Sequence, residues 1–469
     1  MVGGGFSGAL TAVNVARISE RPLHIIVINN RGSVGRGVAY GLRRPEYLLN
    51  VAARNMSAFP DEPGHFLQWL RTRSEFELTP DVELRERFVP RQIYGDYLRS
   101  IVQHHLQSPG ETIRVTSSEF VTGEAVDVEP HNGRALVRLA DGNSVVADRV
   151  VLATGNEPPA PLPGAETLAA HPSWVGNPWQ QWENNLPSHD GSIALLGTGL
   201  TAVDAILTLR HLGWLGTIHA ISRHGWFPHA HFRGIEYPQF PPDDVDLATV
   251  GLDELQVIVK QHCAHLHDMN ANPAIIVDKL RPHTQRIWQN FSSEERLAFA
   301  AQHAARWNVL RHRIAPDIFA QITSSQLTGQ LQVHSGRIAK LEAAQERIRI
   351  HIDDQEPVTA DLVINATGPS TKFTSTRSVL LQNLLQRGLV APDDIDMGIR
   401  VDRDHTVVTP SGERSPWLLA LGPMLRGTYW ETIAVPELRV QARRAAETLL
   451  GATRADVQEE GQLRLEYML

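Results

Sequence analysis

The chain has 469 residues, a formal net charge of −8, 42% apolar residues and 20% charged residues. These values suit a globular enzyme of two to three domains with ample core. The acidic balance argues against nucleic acid as a partner, and no run approaches the roughly 18 apolar residues of a membrane span. No basic-then-apolar leader precedes Gly3, so a cytoplasmic location is expected. The sole cysteine, Cys263, cannot form an intramolecular disulfide, which excludes a dithiol relay within one subunit; it reads as a small apolar residue of a helix.

The chain opens on Gly3-Gly4-Gly5-Phe6-Ser7-Gly8, followed by a helix-like run from Ala9 to Ile18 and a strand at His24–Ile28. In such a turn Gly3 permits the tight bend and Gly5 lets a pyrophosphate approach the backbone. Gly8 must be small so that helix and strand can pack, and the pyrophosphate rests on the positive end of the helix. The preceding strand is only Met1-Val2. A parallel strand normally needs about five residues, so stability and dinucleotide affinity are expected to suffer.

The segment Asp148–Gly155 is an apolar strand ending in Ala153-Thr154-Gly155, and four prolines follow within Glu157–Pro163. The pattern then recurs. The apolar run Ser192–Leu196 leads into Gly197-Thr198-Gly199-Leu200-Thr201-Ala202, a helix-like Val203–Leu212 and a strand at Thr217–Ile221. A second Ala366-Thr367-Gly368 closes the strand at 361–365. Small residues at these strand ends let a loop pass close to a cofactor. Two such units imply two dinucleotides and electrons passed between them.

Between the repeats, Phe227–Asp244 is rich in Pro, His and aromatics and reads as a loop over a nicotinamide or substrate. Leu252–Ile322 reads as mostly helical. A last strand is expected at Trp417–Leu421, followed by Gly422-Pro423 and a helix from Pro436. The expected fold is α/β, with two Rossmann-like dinucleotide-binding domains and a helical insertion at about 240–322. Residues 1–157 and 358–469 would form the first domain and 158–357 the second.

His224, His229 and His231, and again His262, His265 and His267, are close in sequence, but their spacing fits no metal pattern and no metal is expected. Arg311-His312-Arg313 would either bind a carboxylate or phosphate or form a solvated basic turn at a helix end.

Taken together, these segments resemble the bacterial FAD-NAD(P)-binding family of two-dinucleotide flavoproteins. The resemblance rests on Gly3–Ala9, Gly35–Tyr40, Leu48–Val51, Met56–Pro60, Val89–Arg91 with Tyr94-Gly95, Gly197–Asp204, Trp307 with Arg311–Arg313, and Gly422–Glu437. The Met56–Pro60 stretch also resembles the segment over the flavin in flavin-containing monooxygenases. The resemblance implies FAD at the first unit, held by Gly3, Gly5, Phe6, Ser7, Gly8, Asn29, Gly37, Asn50, Arg91, Thr154, Gly155, Gly422 and Thr432. It implies a nicotinamide nucleotide at the second, held by Gly197, Gly199, Leu200, Thr201, Ala202, Arg223 and Gly368. Asn29 or Asn30 stands where an acid usually meets the adenosine ribose, which predicts weaker FAD binding. Arg223 ends the corresponding second-unit strand, and its planar fork suits the 2′-phosphate of NADP(H). The helix after Thr432 would favour the anionic reduced flavin ring.

The implied activity is oxidation driven by NADPH through FAD. With no dithiol, oxygen is the expected acceptor and a small nucleophilic, amine-like molecule the substrate. The alternatives are a flavin reductase or dehydrogenase with another acceptor, and a non-catalytic FAD- and NADP-binding sensor. No catalytic residue and no oligomeric state is legible.

Overall fold

The computed structural model describes residues 1–30, 32–107, 116–232 and 234–451. Two sheets organise the chain, parallel except for Thr406–Val408, which pairs antiparallel with Arg414–Ala420 at an edge of the first. In the first, Leu23–Asn29 pairs with Thr116–Thr122, and Val150–Leu152 pairs with Arg414–Ala420. The two halves meet at one residue: Val2 bridges both Ile28 and Leu152 in parallel. Four backbone bonds of 2.8–2.9 Å link Met1, Val2 and Gly3 to these neighbours. The stub strand therefore occupies the centre of the sheet despite its length.

The second sheet has five parallel strands, in the order Leu331–Ser335, Thr217–Ser222, Ser192–Leu196, Leu362–Asn365, Trp174–Val175. In both sheets the strand leading into the glycine turn lies between the next strand in sequence and the strand that ends in Ala-Thr-Gly. That is the point where strand order reverses, and ligands of open α/β sheets bind there.

The two glycine turns have nearly the same backbone. Gly3 and Gly197 have φ +105° and +113°. A Cβ on either would lie 2.2 or 2.4 Å from the carbonyl oxygen of Ala153 or Ala366, so only glycine fits. Helix Phe6–Ile18 starts at Gly5 and helix Leu200–His211 at Gly199. Neither cap residue has a side chain to occupy the first amides.

Each sheet is covered by helices on one face and a three-stranded antiparallel meander on the other. On the first sheet, Leu10 and Val13 of the first helix pack with Leu438 and Ala442 of helix Val435–Leu450. The meander strands Ala125–His131, Arg134–Leu139 and Ser144–Ala147 contribute Val128 and Val137 to the opposite face. On the second sheet, Ile206 packs with Ile318 of helix Pro316–Leu327. The meander Ile338–Ala344, Arg347–Ile352 and Val358–Ala360 supplies Leu341, Ile348 and Ile350 on the other side. Burial on both faces explains why the central strands read as unbroken apolar runs.

The insertion forms a further core. Among the described residues of 227–244 there is no helix and only an isolated bridge from Ala230 to Ile314, and helices Leu252–Asp268, Ile275–Leu280, Thr284–Asn290, Ser293–Gln302 and Ala304–Arg311 follow. Their apolar faces enclose Tyr237, Phe240, Leu266, Ile276 and Trp288, together with Ile395 and Trp430 from the carboxy-terminal stretch. Cys263 packs into this core, its Sγ 3.9 Å from the Pro273 carbonyl.

Candidate functional site

A cavity of about 700 Å³ lies between the two sheets and the insertion. The first unit supplies Tyr40, Asn50, Met56, Thr154 and Gly155; the second supplies Gly197–Thr201, Arg223, Arg337, Thr367 and Gly368. The insertion adds Asn308 and His312, and the carboxy-terminal stretch adds Met424, Arg426 and Ile433–Val435. Both Ala-Thr-Gly strand ends thus open into one space. Gly155 and Gly368, at φ +78° and +88°, would meet nothing within 4 Å if given a Cβ, and neither would Gly199. The second glycine turn is a cradle with room for a pyrophosphate at an uncapped helix end.

Of the expected residues, Asn50, Arg91, Thr154, Gly155, Gly197, Gly199, Leu200, Thr201, Arg223 and Gly368 line this cavity. Gly3, Gly5, Phe6, Ser7, Gly8, Asn29, Gly37, Ala202, Gly422 and Thr432 lie outside its lining. The physical reasons differ. Gly3 and Gly8 serve close packing: a Cβ on Gly8 would sit 2.0 Å from the Gly3 carbonyl oxygen. Phe6, Ser7 and Ala202 are buried in their helices. The Gly35–Gly37 turn lies across the first glycine turn, with the Gly35 amide donating to Gly4 at 2.8 Å. Asn29 stands beside that turn, its Cβ 2.8 Å from where a Gly4 side chain would begin, and its Nδ2 donates to the Gly32 carbonyl.

Two residues depart from the reading of the sequence. Thr432 is fully buried; its hydroxyl donates to the Gly422 carbonyl and accepts from Gln441, so it secures the turn rather than the wall. The wall positions belong to Ile433, Ala434 and Val435. Arg91 lines the cavity, yet its guanidinium is taken by the protein. It donates to both oxygens of Asp204 at 2.6 and 2.9 Å and to the Leu48 carbonyl at 3.0 Å.

That pair joins the units directly. Arg91 begins helix Arg91–Val102 of the first, and Asp204 lies in the helix after the second glycine turn. Tyr47 and Thr208 add a 2.9 Å hydroxyl contact, Arg44 meets Glu183, and His231 Nε2 lies 2.9 Å from the Asn50 carbonyl.

Four arginines and two carboxylates line the cavity. Arg91 and Asp204 satisfy each other. Glu157 accepts from the Thr376 hydroxyl at 2.7 Å. Arg223, Arg337 and Arg426 remain, so the cavity is cationic within an acidic protein. Arg223 and Arg337 are both exposed, on neighbouring strand ends of the second unit. Arg337 gave no signal in the sequence, because only pairing of Leu331–Ser335 with Thr217–Ser222 brings it beside Arg223.

The Arg311–Arg313 triplet is not a solvated turn. Arg311 and Arg313 are 7% and 5% exposed, and their partners are Glu431 and Glu437, and Asp278, respectively. His312 alone reaches the cavity. Burial, with Arg311 and Arg426 beside it, pushes its pKa down to about 3, so the imidazole is neutral at working pH. In the two histidine groups, His224 stacks on Trp226 at 4.4 Å, and His262 Nδ1 lies 2.9 Å from the Tyr237 hydroxyl.

A family model described as FAD-NAD(P)-binding matches residues 1–157. Solved structures match almost the whole chain. The ornithine hydroxylase of Pseudomonas aeruginosa is 16% identical over 96% of this chain and 98% of its own, with a TM-score of 0.62. The L-lysine 6-monooxygenase of Pseudomonas syringae is 18% identical over 96% and 98%, at 0.61. The ornithine N-hydroxylase of Kutzneria sp. 744, solved with reduced FAD, NADP+ and L-ornithine, is 15% identical over 95% and 97%, at 0.59. No curated protein sequence matches. No helix among the described residues is long and apolar enough to cross a membrane.

His312 yields a pH prediction. Its folded pKa lies below the unfolded value near 6.5, so the unfolded chain takes the proton first. The stability linked to this group is complete above pH ~6.5 and is lost as pH falls toward 3. Between pH 7 and 5 the loss is about 2 kcal/mol. Urea unfolding of His312→Gln should show a correspondingly shallower acid decline than wild type; parallel declines would place a protonated imidazole in the folded state.

Residues 1–157 thus match the FAD-NAD(P)-binding family model, in a chain that shares its overall fold with the ornithine hydroxylase and the L-lysine 6-monooxygenase.

Proposed function

We propose that the protein is an NADPH-reduced, FAD-dependent monooxygenase acting on a small amine. The observation that carries this reading is the single cavity onto which both Ala-Thr-Gly strand ends and the second glycine turn open. Two dinucleotides held at those turns would bring their reactive rings toward the same space. The flavin supplies hydride acceptance from NADPH and oxygen activation. The chain's own residues supply the rest.

Gly197 and Gly199 let the pyrophosphate approach the helix end, and Arg223 with Arg337 meets the 2′-phosphate. The wall at Ile433–Val435 leads into the amino-terminal end of helix Val435–Leu450, whose dipole favours negative charge. Met56, Met424 and Val309 give the cavity apolar surface that excludes water. Cys263 lies in the insertion core and outside the cavity lining, which leaves no thiol there to accept electrons.

An amine fits the similarity to enzymes that hydroxylate ornithine and lysine. The balance is one oxygen atom to the amine nitrogen and the other to water, with both electrons from NADPH.

The test is turnover of a panel of amines under 18O2, with NADPH consumption, hydroxylated product and peroxide measured together. Label in the product, coupled to NADPH consumption, is expected. Flavin reduction with peroxide as the only oxygen product would instead indicate a reductase, and no flavin reduction at all would indicate a sensor.

Coenzyme choice follows from Arg223. Its charge-assisted contact with the 2′-phosphate is worth about 1.5–3 kcal/mol, roughly 10- to 100-fold. Anaerobic flavin reduction by Arg223→Ala should weaken with NADPH and not with NADH. Equal losses with both would assign Arg223 to the fold or the shared pyrophosphate.

A further inference from the structure

The carboxy-terminal stretch makes an unusual turn beside the cavity. Helix Arg426–Tyr429 ends at Trp430, whose φ and ψ are +57° and −63°. The Glu431 amide donates to the Tyr429 carbonyl at 2.6 Å, closing a γ-turn of the strained hand. A bulky residue keeps such a conformation only when its surroundings over-determine it, and such strain clusters at ligand clamps.

Three side chains are fixed by this turn. Trp430 enters the insertion core, its ring 4.8 Å from Trp288 and 5.2 Å from Phe299. Glu431 accepts from Trp307 Nε1 at 2.7 Å and meets Arg311 at 3.4 Å. Arg426 folds back over the Trp430 ring, 4.6 Å from its centroid, and lines the cavity.

Arg426 differs from the arginines around it. Arg311 pairs with Glu431 and Glu437, and Arg313 with Asp278. Among the described residues no carboxylate lies within ion-pair distance of Arg426, and its Nε is buried without a hydrogen-bond partner. Glu431, the neighbouring acid, has its oxygens engaged by Trp307 and Arg311. Burial pushes the Arg426 pKa down, the sign of a cation short of solvation. The Glu431 charge acts on Arg426 from beyond ion-pair distance and offsets only part of that burial, and a desolvated guanidinium without a paired carboxylate is costly. Its stacking on Trp430 uses the planar face and leaves the donor edge for a planar, two-oxygen anion.

The dinucleotides' anions have other places. Their pyrophosphates belong at the helix ends beginning at Gly5 and Gly199, and a 2′-phosphate belongs at Arg223 and Arg337 on the second unit's strand ends. Arg426 stands on a separate element, packed against the insertion, beside neutral His312.

We propose that Arg426 anchors the carboxylate of the substrate, so that the amine oxidised belongs to an amino acid and not to a simple alkylamine. This rests on the amine-oxygenating reading above. The experiment pairs amines that differ only in the carboxylate. The FAD-loaded enzyme is titrated calorimetrically with a panel of L-amino acids that includes ornithine and lysine, and with putrescine and cadaverine.

The wild type should bind at least one carboxylated member ~10- to 100-fold more tightly than its decarboxylated counterpart, the size of one charge-assisted contact. Arg426→Gln should lose that preference while its affinity for the decarboxylated amine stays put, and Arg426→Lys should recover part of it. The proposal is overturned if no amino acid of the panel binds, if putrescine or cadaverine binds as tightly as its parent, or if Arg426→Gln keeps the preference. Loss of FAD from Arg426→Gln would also overturn it, by assigning the guanidinium to the flavin. A carboxylate preference without oxygenated product would sink the monooxygenase reading and leave the anchor standing.

Discussion

The geometry of this protein depends on one buried ion pair. Arg91 and Asp204 meet through two hydrogen bonds, side chain to side chain, with 14% and 7% of their surfaces exposed. Arg91 starts a helix of the first unit and is further tied to the Leu48 carbonyl. Asp204 lies one turn into the helix that the second glycine turn begins. The pair therefore fixes the second glycine turn relative to the first sheet. A bidentate arginine–carboxylate contact restrains orientation as well as distance. Losing one partner would leave an uncompensated buried charge, at about 3–5 kcal/mol.

Around that pair, the two units repeat more than their glycine turns. Each has a strand, a glycine turn, a helix, a three-stranded antiparallel meander and an apolar strand ending in Ala-Thr-Gly. The repetition is physical before it is functional. A parallel sheet must be covered on both faces, and each unit uses helices on one side and a meander on the other. Placing both Ala-Thr-Gly ends at the point where strand order reverses brings two would-be cofactor sites to one cavity. The helical insertion closes the remaining side and leans on the carboxy-terminal stretch through Trp288, whose Nε1 donates to the Gly427 carbonyl at 2.8 Å.

What the sequence revealed follows from where local chemistry decides. The glycine turns were legible because backbone at φ above +100° beside a carbonyl oxygen admits only glycine. The central strands were legible because both faces are buried. The two meanders were not singled out, although Arg347–Ile352 alternates exposed and buried positions as a half-buried strand does. The partners of the Arg311–Arg313 triplet are hidden for a related reason: Glu431 and Glu437, the counter-ions of Arg311, come from more than a hundred residues away, and Asp278, that of Arg313, from a separate helix. Arg91 was expected at a cofactor because nothing local indicates Asp204. Thr432 was expected at the flavin because its segment is right, while its hydroxyl turns inward to Gly422.

The central claim is that a fixed relation between the two units lets NADPH and FAD react across one cavity. The most direct measurement is the anaerobic rate of flavin reduction at saturating NADPH in the double variant Arg91→Met/Asp204→Leu. Replacing both charges together leaves none unpaired, a change that buried ion pairs often tolerate in stability. With the fold and FAD content retained, the account predicts reduction slowed about tenfold or more, as expected when reacting groups lose their alignment. A rate equal to wild type would contradict it and show that the relation between the units is set elsewhere.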